Sequence, residues 1–405
     1  MLVGLLVLKA IAVTQGTEGF GRLGHFMSMV SILSVLAGGG ILNSIVKYTA
    51  EYKNSPQRLN LFLSTAALYS FIFSSVIALL LISFADRISI LLYQNMGQRD
   101  LICFLALIQF AYGSVSFCNG IVNGLTKTGT FAKISIVGSL IGLPVSYFLI
   151  MRYGFGGAVA GLAAINACLL PPALYEIHKI GILRKIKFLI SKIELIKISQ
   201  FSFMQAVSLT TLPIAEIVVR NSIAGSFGWE AAGLWQSLMR LSAVYLGFFT
   251  MFLASYYMPI LSAMADPKEN IRHVKNNLFA AGAVFLVIAL MVYVFRDLVF
   301  LIVFSKDFKI APEFVGFQLI GDFFKILSYV VAFLLVAKAN MKLYVMGELV
   351  QSGLYLTLSL WALQTLRIQF LFAAYAMSNF LYFLVCLFGL LSYEHALARR
   401  EGLSN

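Results

Sequence analysis

Long apolar stretches alternate with short polar loops along the 405 residues of the chain. A helix needs about 20 mostly apolar residues to cross the hydrocarbon core of a bilayer. The pattern predicts twelve helical segments, at 2–14, 26–49, 62–84, 101–123, 130–150, 155–177, 199–222, 231–255, 279–303, 315–337, 342–363 and 368–391. The first is too short to span, so we expect the natural chain to begin further upstream or to have been trimmed.

Composition narrows the class of protein. Hydrophobic residues make up 60% of the chain and charged residues 12%, whereas a soluble domain carries about 25% charged residues. The four cysteines lie inside apolar stretches without a paired spacing, and the four histidines are scattered. These features predict an all-α integral membrane protein and argue against a disulfide framework or a metal centre.

The charge distribution predicts the orientation in the membrane. Twelve segments place both termini on one side, and that side carries roughly twice as many lysines and arginines as the opposite loops. Because positive charge accumulates on the cytoplasmic side, we expect both termini to be cytoplasmic. The formal net charge of +13 then reflects topology and attraction to membrane lipids, and we expect no nucleic-acid partner.

A basic stretch in the middle of the chain divides it into halves. We predict that "HKIGILRKIKFLISKIELIKISQ" (178–200) forms an amphipathic helix on the inner leaflet. A faint repeat between "EGFGRLGHFM" and "EAAGLWQSLM" supports two related halves. The predicted division is an N-terminal six-helix bundle at 1–177, a cytoplasmic linker at 178–198, a C-terminal six-helix bundle at 199–391 and a cytoplasmic tail at 392–405.

Polar side chains recur at helical spacing inside seven of the segments. In hydrocarbon such groups must face a partner or a wet cavity. They either bond neighbouring helices or line a central cavity between the halves, and their presence in both halves favours the cavity. The residues that we assign from these stripes to cavity or coupling roles are Asp322, Glu216, Glu348, Asn43, Gln236 and Asn119.

Two cations inside the segments suggest the charge of the substrate. Arg240 and Lys325 lie well inside apolar stretches, where a cation costs about 2.5–3.5 kcal/mol. Such cations suit an anionic substrate, and phosphate is bound well by both side chains. Asp322 lies three residues before Lys325. It either forms a structural ion pair with Lys325, or competes with a phosphate for Lys325, or acts as a proton site.

Several motifs are similar to those of one transporter family. They include "VLAGGGILNSIVKYTAEY" (35–52), "LPIAEIVVR" (212–220), "GLWQSLMRLSAVYL" (233–246) and "LIGDFFKILSYV" (319–330). Over essentially its whole length the chain resembles Wzx-type flippases of the MOP exporter superfamily, above all the branch that serves enterobacterial common antigen assembly.

The resemblance implies a MATE/MOP-like fold, with two six-helix bundles around a central cationic cavity. It also implies transport of an undecaprenyl-diphosphate-linked oligosaccharide, either an O-antigen unit or lipid III, across the bacterial inner membrane by alternating access. The cavity residues that it implies are Lys47, Arg220, Arg240, Asp322 and Lys325, and the four cations among them would hold the diphosphate.

The resemblance further implies no cofactor, with coupling to a proton or sodium gradient left open, and partners such as a polysaccharide polymerase and a chain-length regulator. Two alternatives remain. An ion-coupled drug exporter of the same superfamily would favour carboxylates over cations in the cleft. A membrane polysaccharide polymerase or ligase would need a sizeable periplasmic loop, and the predicted outer loops are short, so we expect no enzymatic activity.

Overall fold

The computed structural model describes residues 2–93, 97–182, 186–187, 189–264, 266–337, 341–365 and 367–402. Throughout these ranges the secondary structure is helical, without a strand. The helices are α1 (Leu2–Leu36), α2 (Leu42–Tyr52), α3 (Pro56–Ser83), α4 (Ala85–Tyr93), α5 (Arg99–Gly124), α6 (Thr128–Ala167), α7 (Leu170–Ile180), α8 (Lys192–Phe252), α9 (Met258–Ala263), α10 (Pro267–Val294), α11 (Arg296–Val303), α12 (Pro312–Ala337), α13 (Met341–Leu363) and α14 (Ile368–Gly402).

Three glycines divide the longest helices into pairs of arms. Gly16 in α1, Gly154 in α6 and Gly228 in α8 have φ values of 63°, 55° and 86°, a region that residues with a Cβ avoid. Among the described residues, eight helical stretches are long and apolar enough to cross a membrane, and three of them contain one of these breaks. If each of the three interrupted stretches is counted as two spans, and α13 with its 23 residues is added, the total agrees with the twelve predicted segments. The chain is therefore a multi-pass membrane protein.

The second predicted segment, 26–49, lies within a candidate span but is interrupted at its centre. α1 ends at Leu36 and α2 begins at Leu42, because Gly38, Gly39 and Gly40 take left-handed φ values of 71°, 75° and 65°. The backbone N–H of Gly38 donates to Ser74 Oγ on α3 at 3.0 Å. A Cβ on Gly38 would lie 2.5 Å from Oγ of Ser70, which is also on α3. The three glycines therefore permit close contact with α3 that a regular helix would prevent.

The amphipathic helix predicted for the basic linker is wrong in its central part. α7 ends at Ile180, Gly181 follows with φ 79°, and α8 begins only at Lys192. Residues 182, 186–187 and 189–191 are not helical, while 183–185 and 188 lie outside the described residues. Ser64 and Thr65 of α3 accept hydrogen bonds from backbone N–H groups of the linker, each at 3.0 Å. These side-chain bonds to α3 replace the backbone bonds of a helix.

The chain forms two compact units, Met1–Ile217 and Val218–Asn405. In the first, buried side chains of α2, α3 and α5 pack with Ile177 of α7 and Ile198 of α8. In the second, α12 packs against α10 and α14 around residues such as Val274 and Val330. The boundary between the units lies inside the predicted segment 199–222, and the predicted domain limits around 178–198 stay a prediction.

Candidate functional site

A carboxylate is completely buried in the second unit. Asp322 of α12 has 0% exposure, and both of its oxygens accept hydrogen bonds. Tyr375 of α14 donates to Oδ1 at 2.6 Å, while Ser242 at 2.6 Å and Tyr245 of α8 both donate to Oδ2. Gln318, one turn earlier on α12, donates to Oδ2 at 3.5 Å and to Ser242 Oγ at 2.8 Å. Three helices thus supply the donors that offset the cost of burying a carboxylate.

Lys325 continues this network along α12. Its side chain is 9% exposed, and its Nζ lies 5.8 Å from the centroid of the Tyr375 ring. Lys325 also hydrogen-bonds Tyr329 and interacts electrostatically with Glu348 of α13. The structure therefore brings the predicted residues Asp322, Lys325 and Glu348 together in one polar cluster, which we call the α12 network; Asp322 and Lys325 are buried in it and Glu348 is half-buried.

The guanidinium group of Arg220 is held by a second predicted residue. Arg220 and Gln236 are both buried with 0% exposure, and the Gln236 side-chain oxygen accepts from Arg220 Nη2 at 2.6 Å and from Nε at 3.2 Å. The guanidinium carbon lies 5.3 Å from the centroid of the Trp235 ring. The two residues lie on opposite arms of α8, on either side of the break at Gly228. Without that break they would be far apart along one helix.

We expect Arg220→Lys to lower the thermal stability of the purified protein. Lysine keeps the charge, but it cannot donate two hydrogen bonds in a fixed fork or stack flat on Trp235. Losing one hydrogen bond to a charged group costs about 1.5–3 kcal/mol. Thermal unfolding in detergent measures the effect, with the exposed Arg152→Lys as the matched control. Equal melting temperatures for the two variants would contradict a specific role of the fork.

Lys47 lies in the first unit, where its side chain is exposed on α2. Its Nζ is 5.0 Å from the centroid of the Tyr48 ring and 4.9 Å from that of Phe201 on α8. Asn43, one turn earlier on α2, is exposed as well. Cation–π contacts position an ammonium group without neutralising its charge. Lys47 is therefore held in place and still accessible to an anion.

Two polar side chains of α5 bond neighbouring helices. Gln109 donates to the backbone oxygen of Ser74 at 2.6 Å, and the Tyr112 hydroxyl donates to that of Ala163 at 3.0 Å. Both are the structural contacts that polar residues make between membrane helices. Asn119, the site candidate on this helix, is half-buried.

The two remaining candidates are half-buried side chains of α8. Glu216 accepts a hydrogen bond from Ser28 of α1 at 3.5 Å within the first unit. Arg240 lies on the second arm of α8, one turn after Gln236 and two residues before Ser242. The roles of these residues in a substrate site stay predictions.

The sequence interpretation did not assign the residues that donate to Asp322. These are Ser242, Tyr245, Gln318 and Tyr375. Gln318 is four residues before Asp322 and so shares its helix face, which is a signal that the sequence contains. Ser242 follows Arg240 by two residues and faces a different direction. Only the packing of α8 against α12 reveals it.

The helices and the buried charges define a multi-pass membrane protein with the fold of MOP-superfamily transporters. An inward-facing multidrug resistance MATE family transporter of that superfamily matches with a TM-score of 0.76, covering 97% of this chain and 95% of its own at 14% identity. The lipid II flippase MurJ, in an inward closed conformation, matches with a TM-score of 0.75, covering 96% and 85% at 15% identity.

The chain belongs to the polysaccharide biosynthesis protein family, whose model matches residues 1–265. It is similar to the lipid III flippases of Escherichia coli (strain K12) and Shigella flexneri. Each is 30% identical over 386 residues, which cover 95% of this chain and 92% of the relative. The predicted resemblance and the predicted fold class are thereby confirmed.

Proposed function

We propose that the chain transports an undecaprenyl-diphosphate-linked oligosaccharide, an O-antigen unit or lipid III, from the cytoplasmic to the periplasmic leaflet of the bacterial inner membrane. The observation that carries this proposal is the similarity to lipid III flippases over 95% of the chain. The role is transport rather than catalysis. A drug exporter of the same superfamily is less well supported, because the MATE transporter shares the fold at only 14% identity.

The head group of such a lipid sets the barrier to flipping. Each sugar hydroxyl or phosphate oxygen that enters hydrocarbon without a partner costs several kcal/mol. A diphosphate of charge about −2 that leaves an inside-negative cell gains about 4–5 kcal/mol across 100 mV. We therefore propose alternating access, in which the protein provides polar contacts for the head group while the lipid tail stays in the bilayer.

The four proposed diphosphate ligands differ in accessibility. Lys47 is exposed and Arg240 half-buried, whereas Arg220 and Lys325 are buried. In the proposed cycle Lys47 and Arg240 meet the diphosphate directly. Arg220 and Lys325 can bind it only after a conformational change exposes them.

We assign Asp322 to coupling. Protonation, or binding of a sodium ion, would neutralise the carboxylate that Ser242, Tyr245 and Tyr375 now contact. Lys325 would then lose one neighbouring negative charge and attract an anionic head group more strongly. This links a proton or sodium gradient to the affinity for the lipid diphosphate.

The proposed setting follows the predicted topology. Both termini lie in the cytoplasm, and the product is released at the periplasmic leaflet. A polysaccharide polymerase and its chain-length regulator are the proposed partners there, because they act on the oligosaccharide after it has been flipped.

Genetic complementation tests the proposed function. The gene is introduced into a strain that lacks its lipid III flippase and, separately, into one that lacks its O-antigen flippase. We expect surface polymer to return in one of them and the lipid-linked intermediate to stop accumulating. Increased drug resistance, with surface polymer still missing in both strains, would identify a drug exporter instead.

In the complemented strain we expect Arg240→Ala and Lys325→Ala to abolish polymer synthesis while the protein still inserts, because each removes a cation proposed to attract the diphosphate. Lys306→Ala, which changes an exposed lysine between α11 and α12, is the matched control. Membrane fractions verify the amount of each variant. Full polymer synthesis in both test variants would remove the cationic site from the proposal.

A further inference from the structure

An apolar groove lies in the second unit, among the end of α12, the beginning of α13 and the middle of α14. Its volume is about 460 Å³. Its wall is formed mainly by aliphatic side chains, among them Val331, Leu335, Met346 and Val385. The side chains of Met346 and Val385 are 58% and 51% exposed. The groove is therefore open at the surface rather than sealed in the core.

One of the two glycines that line the groove leaves a hollow in its wall. Gly347 of α13 and Gly389 of α14 both line it. A Cβ on Gly389 would meet no atom within 4 Å, whereas one on Gly347 would lie 2.9 Å from the Tyr382 hydroxyl. The hollow at Gly389 is thus space that a larger side chain or a ligand can fill without displacing the protein.

One wall of the groove leads to the α12 network. Tyr344 lines the groove and hydrogen-bonds Glu348 one turn further along α13. Glu348 in turn interacts electrostatically with Lys325. An apolar groove with charged side chains beside it matches a molecule with an apolar chain and a charged head.

We propose that the groove binds the head-proximal isoprene units of the polyprenyl chain of the lipid substrate. This inference rests on the proposed function and names the part of the protein that holds the lipid tail. The hollow at Gly389 suits a methyl branch of an isoprene unit, which a straight acyl chain lacks. In the predicted topology this end of α12–α14 faces the cytoplasmic leaflet, from which the substrate arrives.

Filling the groove tests the inference. Gly389→Leu places a side chain in the open hollow, and Gly353→Leu is the matched control, because Gly353 of α13 is also exposed and free of neighbours within 4 Å but lies outside the groove. The full chain is reconstituted in nanodiscs with undecaprenyl monophosphate that carries a photoreactive diazirine in its first isoprene units. A diazirine-bearing phosphatidylglycerol serves as the bilayer-lipid probe.

We expect the polyprenyl probe to label peptides of α13 and α14, and excess undecaprenyl monophosphate, but not phosphatidylglycerol, to compete. Labelling should fall about tenfold in Gly389→Leu, because the buried apolar contacts are lost, and stay unchanged in Gly353→Leu. Val385→Trp narrows the mouth from α14 and should reduce labelling as well. It provides a second block if Gly389→Leu does not fold.

Two results would overturn the inference. Equal labelling by phosphatidylglycerol, or competition by it, identifies an ordinary bilayer-lipid site. Labelling of the folded blocked variants at the level of the unchanged chain shows that the groove does not hold the polyprenyl chain. Complementation by the unchanged chain separates the two proposals. If complementation succeeds and labelling fails, only the assignment of the groove is wrong. If complementation fails, the proposed flippase function itself is wrong.

Discussion

Asp322→Asn is expected to reduce gradient-driven flipping about a hundredfold, which corresponds to about 3 kcal/mol. The carboxylate is fully buried and accepts hydrogen bonds from Ser242, Tyr245 and Tyr375. Asparagine has nearly the same shape, and the hydroxyls can rotate to satisfy it. It cannot bind a proton or carry the negative charge, so the variant is fixed in a neutral form.

The measurement uses proteoliposomes with a fluorescent lipid-linked oligosaccharide and an imposed proton or sodium gradient. Exchange between leaflets without a gradient is recorded in parallel, because a coupling residue affects the driven rate more than equilibrium exchange. Asp307→Asn, at an exposed position between α11 and α12, is the matched control. If the gradient accelerates flipping by Asp322→Asn as much as it does for the unchanged chain, Asp322 is not the coupling residue. Equal loss of both rates indicates a structural role instead.

Gly38→Ala is expected to have the largest effect on stability, about 2–5 kcal/mol. The left-handed backbone at φ 71° costs about 1–2 kcal/mol for a residue with a Cβ. The new methyl carbon would lie 2.5 Å from Ser70 Oγ, and such overpacking adds about 1–3 kcal/mol. Gly113 of α5 also approaches Gly38 closely, so the first unit has little room to adjust.

Gly154→Ala separates the two contributions. Gly154 has a similar φ of 55°, but a Cβ there meets nothing within 4 Å, so this variant has only the backbone cost. Thermal unfolding of both variants in detergent should show the larger loss for Gly38→Ala. Similar melting temperatures would mean that α3 and α5 can move apart and that the contact at Gly38 is not tightly packed.

The α12 network shows how far a helical pattern can identify a site. Spacing along α12 placed Asp322 and Lys325 on nearby positions and indicated that both need partners, since a charge in an apolar segment is costly. It did not indicate which helices supply those partners. Ser242 and Tyr375 are 80 and 53 residues away from Asp322, and such contacts depend on packing that a one-dimensional pattern does not encode.

The sequence by itself determined the membrane class, the helical segments and most polar positions within them, because hydropathy and helical period are local properties of a chain in a bilayer. It did not reveal that Gly38–Gly40 interrupts a segment. It also did not reveal that backbone N–H groups of the linker donate to Ser64 and Thr65 of α3. The hydrogen bonds of Asp322 and the groove of α12–α14 likewise appear only after folding. Each depends on close approach between residues that are distant in the chain, and only tertiary packing decides which of them meet.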